Sequence, residues 1–198
     1  MGIQGNPRRQ LDLRGDEKTY FSKFLVGIFD IQLLKYCSDC PYREIKSVST
    51  SSKVCRNVKE YVKDINAIEK VGPHASQCED FVTLARYQFK DGVPLPVYRI
   101  EVDYGFLKEG LYTKLPESNL PSSISILGTD YKLFAATLAQ PPLSPGALGH
   151  FVGIFYTRDG KFLYDGMQPQ LRRLNQALKN SYVTYAYYTK ALGTFQMH

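Results

Sequence analysis

The sequence predicts an α+β chain, mostly antiparallel sheet in its second half with a smaller helical first half, and two patterns carry that expectation. Past residue 94 the side chains alternate in Val97–Tyr104, Tyr131–Leu138, Phe151–Tyr156 and Tyr182–Thr189, with the period of a half-buried strand. Loops bearing Pro and Gly separate these runs, most plainly Gln140-Pro141-Pro142-Leu143-Ser144-Pro145-Gly146. Before residue 94, two stretches instead repeat apolar residues at helical spacing. At 198 residues the chain suits one domain of ordinary size, or part of a larger one. A hydrophobic content of 43% is globular and rules out general disorder.

Residues 1–15 are polar and irregular, the composition of a flexible lead-in. Asp16 is placed to cap a helix ahead of Glu17 and Lys18, and Tyr20, Phe21, Phe24, Leu25 and Ile28 continue its apolar face. Phe29–Leu34 alternates as a strand that delivers Cys37 and Cys40 at its tip. Residues 47–53, mostly Ser and Thr, read as a loop or an exposed strand. Val58, Tyr61, Val62, Ile65 and Ile68 predict a second amphipathic helix that Gly72-Pro73 stops. In the last strand Tyr182, Tyr185, Tyr187 and Tyr188 suit a half-buried sheet, with rings packed and hydroxyls wet.

The formal charge of +6 is spread thinly, from Arg8, Arg9 and Arg14 to Arg172 and Arg173. No dense Lys/Arg run or aromatic-basic motif accompanies it, so nucleic acid is not the expected partner. The sequence holds no run of about 18 apolar residues to span a bilayer, and Met1–Arg9 lacks the apolar stretch of a secretory signal. The expectation is a cytoplasmic or nuclear chain with no membrane partner. Four cysteines in that setting are expected as reduced thiols, serving metal binding or catalysis.

Cys37-x-x-Cys40 and His74-x-x-x-Cys78 make two close pairs of soft or borderline ligands, the usual way of holding a structural zinc ion. Metal-free thiols are the alternative. Cys55 precedes the second helix between Lys53 and Arg56, where a helix N-terminus and cations lower a thiol pKa and favour a nucleophile. As a small apolar side chain beside Val54 and Val58 it equally suits the core. In residues 148–167, Asp159-Gly160 joins two β-rich runs as a tight hairpin turn, with glycine free to take a positive φ. That turn brings His150 and Asp165 to the hairpin's open end, an imidazole beside a carboxylate able to orient it. A surface hydrogen bond with no chemistry is the other reading.

Several motifs in order resemble the carboxyl-terminal part of ubiquitin-specific proteases. They are Leu95-Pro96-Val97-Tyr98-Arg99-Ile100, Leu115-Pro116, Tyr131-Lys132-Leu133-Phe134-Ala135, Gly149-His150-Phe151, Phe162-Leu163-Tyr164-Asp165 and the closing run Tyr182–Tyr188. The resemblance covers roughly residues 94–190. It implies a papain-like cysteine peptidase fold, with 16–93 as a fingers-like segment carrying the Cys37/Cys40 and His74/Cys78 knuckles and 94–198 as the palm-like sheet. It also implies His150 as general base, Asp165 as its orienting partner, and ubiquitin, ubiquitin-like or ubiquitinated proteins as partners. The sequence departs from that family in having no Asn-x-Cys box ahead of Cys37, no Trp, and Gly166 where a second acid stands. The chain alone is therefore expected to be an incomplete or inactive cysteine-type deubiquitinase. A noncatalytic ubiquitin- or protein-binding module and a compact peptidase using Cys55 are the alternatives.

Overall fold

The computed structural model describes residues 28–50, 55–72, 83–102, 115–140, 150–168 and 170–191. They form two antiparallel sheets and one α-helix, an α+β arrangement dominated by strands. The first sheet holds β1 (Asp30–Cys37), β2 (Arg43–Ser49), β3 (Ile68–Val71) and β4 (Thr83–Gln88), in the order β2-β1-β4-β3. The second holds β5 (Val97–Glu101), β6 (Ser123–Ile126), β7 (Thr129–Gln140), β8 (His150–Thr157), β9 (Gly160–Tyr164), β10 (Arg172–Leu174) and β11 (Tyr182–Lys190). Its order is β10-β9-β8-β7-β11-β5, with β6 paired to β7. Among the described residues no helix is long and apolar enough to cross a membrane.

The helix α1 spans Val58–Asn66, and Asn57 caps it by accepting the Lys59 amide on its side chain. Val58, Tyr61 and Ile65 are its buried stripe. The expected continuation to Gly72 is not what the chain does: Ala67 is extended at φ −75°, ψ 153°, and Ile68–Val71 leaves as β3 to pair with β4. Ile68 reads as one more helical core position, yet it is 58% exposed. The predicted helical first half is likewise corrected: the described part is a four-stranded sheet with that single helix, and the helix expected from Asp16 lies outside the described residues. In β2 the burial is almost wholly exposed, so this edge strand carries no apolar alternation to read.

The two sheets share a core. Ile31 of the first sheet clusters with α1, with Tyr98, Ile100 and Val102, with Ile124, Ile126 and Tyr131, and with Val183, Ala186 and Tyr188. Fully burying one Ile or Val side chain is worth about 1.5–3 kcal/mol, so this cluster dominates the stability. A second group, Ala136, Leu138, Val152, Ile154 and Leu163, joins β7, β8 and β9. Tyr185 and Tyr188 are buried rather than wet, and the Tyr188 hydroxyl donates to the Pro121 carbonyl. The strand β11 lies between β7 and β5, and of its tyrosines Tyr185 and Tyr188 are buried while Tyr182 and Tyr187 are only partly so.

Two side-chain ties fix the periphery. Asn66 donates to the Ser125 carbonyl and accepts the Leu127 amide, joining the end of α1 to the β6–β7 turn. Leu127 and Gly128 both take positive φ there, 50° and 76°, the pattern of a tight hairpin turn. Glu117, on the 3₁₀ turn Glu117–Asn119, is buried and accepts Lys161 Nζ at 2.9 Å and the Tyr156 hydroxyl at 3.1 Å. Removing the cation leaves a buried carboxylate with the Tyr156 hydroxyl but no compensating charge. Lys161→Met is expected to cost about 2 kcal/mol, and the Glu117→Gln, Lys161→Met pair to recover most of it. Urea midpoints of the two variants check this, and a double variant no better than the single one would count against it.

Candidate functional site

The hairpin β8–β9 is built as the sequence implies. Thr157 faces Gly160 across the turn, Gly160 has φ 127°, and Phe155–Phe162, Ile154–Leu163 and Gly153–Tyr164 follow in register. His150 opens β8 opposite Gln140 of β7, and Asp165 comes one residue after β9 ends. The open end therefore brings the two together: His150 Nε2 lies 2.9 Å from Asp165 Oδ1, both side chains partly exposed.

Asp165 is held from a second side. The Met167 amide donates to the same carboxylate oxygen at 3.0 Å, and the Gln168 amide donates to the Asp165 carbonyl. This is an Asx-type turn, whose local signal is Asp165-Gly166. The Met167 amide is the largest influence holding the Asp165 carboxyl below its ordinary value, with His150 and the charge of Arg172 behind it. Asp165 thus stays ionised, and its contribution to stability is lost only as pH falls through that lowered value. Contact of Nε2 with Asp165 fixes the ring's orientation and leaves Nδ1 as the ring nitrogen not facing that carboxylate.

Cys55 does not join this pair. Its backbone bridges Val102 at the outer side of β5, its amide donating to the Glu101 carbonyl. The strands β5, β11 and β7 separate it from β8. Its side chain is buried in the shared core, and burial pushes the thiol up to about 12 against the lesser pull of the Asn57 amide. The lowered pKa expected from the helix N-terminus is overturned, because desolvation of a thiolate outweighs one exposed helix end. Cys55 is expected to stay unmodified when the native protein meets iodoacetamide, since the buried thiol is held protonated and out of reach. Peptide mapping with and without urea checks this; native labelling of Cys55 would contradict it.

Cys37 closes β1, buried, and Cys40 follows, partly buried, in the β1–β2 turn. Cys37 stands opposite Thr83 of β4, and Val71 of β3 faces the same Thr83. The two chain ends flanking residues 72–82 therefore lie at the end of the sheet that carries Cys37 and Cys40. His74 and Cys78 themselves lie outside the described residues, and among the described residues no three His, Cys, Asp or Glu side chains gather to hold a metal ion. An open cleft of about 880 Å³ lies elsewhere, lined in part by Gln32, Ile45, Ile68, Arg86 and Leu127.

No family model and no curated protein matches the chain. Solved structures do. A SAGA Ubp8/Sgf11/Sus1/Sgf73 DUB module with a shortened Sgf11 matches at TM-score 0.52 and 13% identity, over 83% of this chain and 41% of that one. A second structure of the Ubp8/Sgf11/Sus1/Sgf73 module matches at TM-score 0.52 and 10% identity, over 83% and 39%. A yeast SAGA DUB module with an altered Sgf73 matches at TM-score 0.50 and 10% identity, over 90% and 46%. The chain spans less than half the length of each of these chains. At such identities the likeness is one of fold: this sheet-rich chain is shaped like part of a DUB module chain.

Proposed function

We propose that the chain is a ubiquitin-specific-protease-like module of the papain type that recognises ubiquitin or a ubiquitin-like protein, with His150 and Asp165 as the surviving part of a cysteine-type deubiquitinase site. The observation that carries this reading is the 2.9 Å His150–Asp165 contact, on a sheet shaped like that of DUB module chains. In the chemistry proposed, Nδ1 of His150 takes the proton of a thiol as that sulfur attacks an isopeptide carbonyl, and Asp165 orients the ring. Cys55, buried and protonated, is not that thiol in this reading, so the chain by itself acts by binding. Residues 16–93 serve as the fingers and 94–198 as the palm. The structural neighbours are parts of multi-subunit modules, which supports protein partners, met in the cytoplasm or nucleus.

Zinc belongs to the same proposal. Cys37 and Cys40 stand at one end of the first sheet, and in this proposal they and His74 and Cys78 make a tetrahedral set. Its role would be to tie the two connections together. Metal analysis is expected to find about one zinc per chain, lost in Cys40→Ser; equal, near-zero content in both proteins would end the idea.

The deciding experiment incubates the protein with ubiquitin carrying a thiol-reactive electrophile at its carboxyl terminus, followed by intact mass and by titration with unmodified ubiquitin. Binding without an adduct is the expected result. An adduct on Cys55 would overturn the assignment of that thiol, and absence of binding would overturn the reading itself.

A further inference from the structure

The ladders of the first sheet sort its side chains onto two faces of different character. Leu34 of β1 faces Ile45 of β2 on one side and Arg86 of β4 on the other, and Arg86 faces Ile68 of β3, so one row crosses all four strands. Two residues along the strands, on the same face, Tyr36 faces Arg43 and Leu84, and Leu84 faces Lys70. Ile31, on the opposite face, enters the shared core. Arg43, Ile45, Ile68, Lys70 and Arg86 are all exposed, Ile45 and Ile68 at 58% each. Apolar residues gathered in the open mark interaction sites on soluble domains.

The arginines of this face are held in place. The guanidinium carbon of Arg43 lies 5.4 Å and that of Arg86 5.5 Å from the centre of the Tyr36 ring, so both groups stack over one aromatic. Arg43 also donates to the Cys37 and Tyr42 carbonyls at 3.1 and 2.8 Å. Side chains ordered before contact lose less freedom on binding. The open cleft of about 880 Å³ adjoins them, with Ile45, Arg86 and Ile68 in its lining beside Asn66 and Leu127. That volume lies in the range that takes a drug-sized ligand, ample for one large side chain.

The charge of the face is one-sided. Arg43, Arg86 and Lys70 stand on it with Asp30 at its far end, where the Ser47 hydroxyl donates to the Asp30 carboxylate at 3.1 Å. Asp91 lines the cleft. The opposite face carries both signs, Lys35 and Lys46 with Glu44 and Glu69, and there Lys35 pairs with Glu44 at 3.4 Å. No ion pair closes on Arg43, Arg86 or Lys70 among the described residues. The three cations therefore complement carboxylates brought from outside.

We propose that this face of the first sheet docks an acidic, extended polypeptide segment, which lays an apolar side chain in the cleft against Ile45 and Ile68 and sets carboxylates against Arg43, Arg86 and Lys70. The two rows stand about 7 Å apart along the strands, the spacing of alternate side chains in an extended chain. The isoleucines favour a polypeptide over a nucleic acid, whose phosphate backbone offers nothing apolar to cover them. The Tyr36 ring is occupied by its two guanidinium groups and gives no platform for a base. His150 and Asp165 belong to the second sheet, so the proposal goes beyond the ubiquitin reading and does not rest on it.

The test selects a randomised displayed peptide library on the intact chain, then measures the enriched peptides against Arg86→Ser, Ile68→Ser and, on the opposite face, Lys46→Ser. Enriched peptides are expected to carry acidic residues with an apolar one two positions away. Arg86→Ser and Ile68→Ser should each weaken their binding about tenfold, and added salt should weaken it further. Lys46→Ser should leave it unchanged. Each substitution replaces an exposed side chain, so the variants keep the fold. No enriched peptide, peptides without acids, binding indifferent to Arg86→Ser and Ile68→Ser, or an equal loss in Lys46→Ser would overturn the proposal. So would displacement by oligo-uridine or by free ubiquitin, or a concentration-dependent dimer lost in Ile68→Ser, each of which gives the face to a different occupant.

Discussion

Replacing Tyr98 by alanine is expected to destabilise the protein by about 3–5 kcal/mol, the range for deleting a large aromatic from a packed core. Tyr98 is fully buried on β5, packs edge-on against Tyr61 and Tyr131 at centroid distances of 6.3 and 5.7 Å, and shares a hydroxyl contact of 3.1 Å with Tyr61. It thus touches α1 on one side and β7 on the other, and the cavity would open where the helix meets the second sheet. Tyr98→Phe is expected to cost only about 1 kcal/mol, because the Tyr61 hydroxyl keeps the Thr50 carbonyl as acceptor. Domains are stable by about 5–15 kcal/mol, so the alanine variant stands near the edge of folding at 37 °C. Urea unfolding followed by far-ultraviolet circular dichroism separates the cases. An alanine variant within about 1 kcal/mol of the parent would show that this aromatic trio is not the keystone of the core.

Alkali is expected to unfold this protein early. Burial raises Cys55 from 9.0 to about 12 and Tyr131 from 10.0 to about 12, and carries Tyr61, Tyr98, Tyr156 and Tyr188 above the ordinary tyrosine value of 10.0. Each is an acid whose folded form holds its proton after the unfolded form has released it, so in that interval the folded state binds more protons and stability falls as pH rises. The decline is expected to begin near pH 9, from Cys55, and to steepen above 10 as the tyrosines join. Urea midpoints taken from neutral pH upward measure it. Cys55→Ala should remove the part of the slope between 9 and 10 and leave the steeper part in place. A midpoint unchanged up to about pH 11 would mean that these groups ionise within the folded protein.

What could be read in advance divides by range. The β8–β9 hairpin was legible because Asp159-Gly160 sets its turn locally, and a two-residue turn then dictates every pairing as far as Gly153–Tyr164. The neighbourhood of His150 and Asp165 follows from that register alone. The Val58–Asn66 stripe was legible for the same reason, while its end was not. Ile68 continues the apolar period, and only pairing with Arg86 of β4, eighteen residues on, takes it into a strand. Of the first sheet only β1 is legible, through the alternation of Phe29–Leu34, whereas β2 exposes nearly every residue and offers no alternation.

The chemistry of individual groups was the least visible. Cys55 reads locally as a thiol beside a helix N-terminus, yet its pKa is governed by burial in a core built with Val102, Tyr131 and Tyr188, residues far from it in sequence. The Met167 amide on Asp165 is local, and its signal stands in Asp165-Gly166. The sequence by itself determined the turns, the amphipathic helix and the meeting of imidazole with carboxylate, all of which rest on backbone preferences within a few residues. Only the tertiary structure decided which groups lose water. Burial depends on atoms that distant strands bring, and it is what raised the Cys55 pKa, covered Tyr185 and Tyr188 and left Phe155 and Tyr164 in the open.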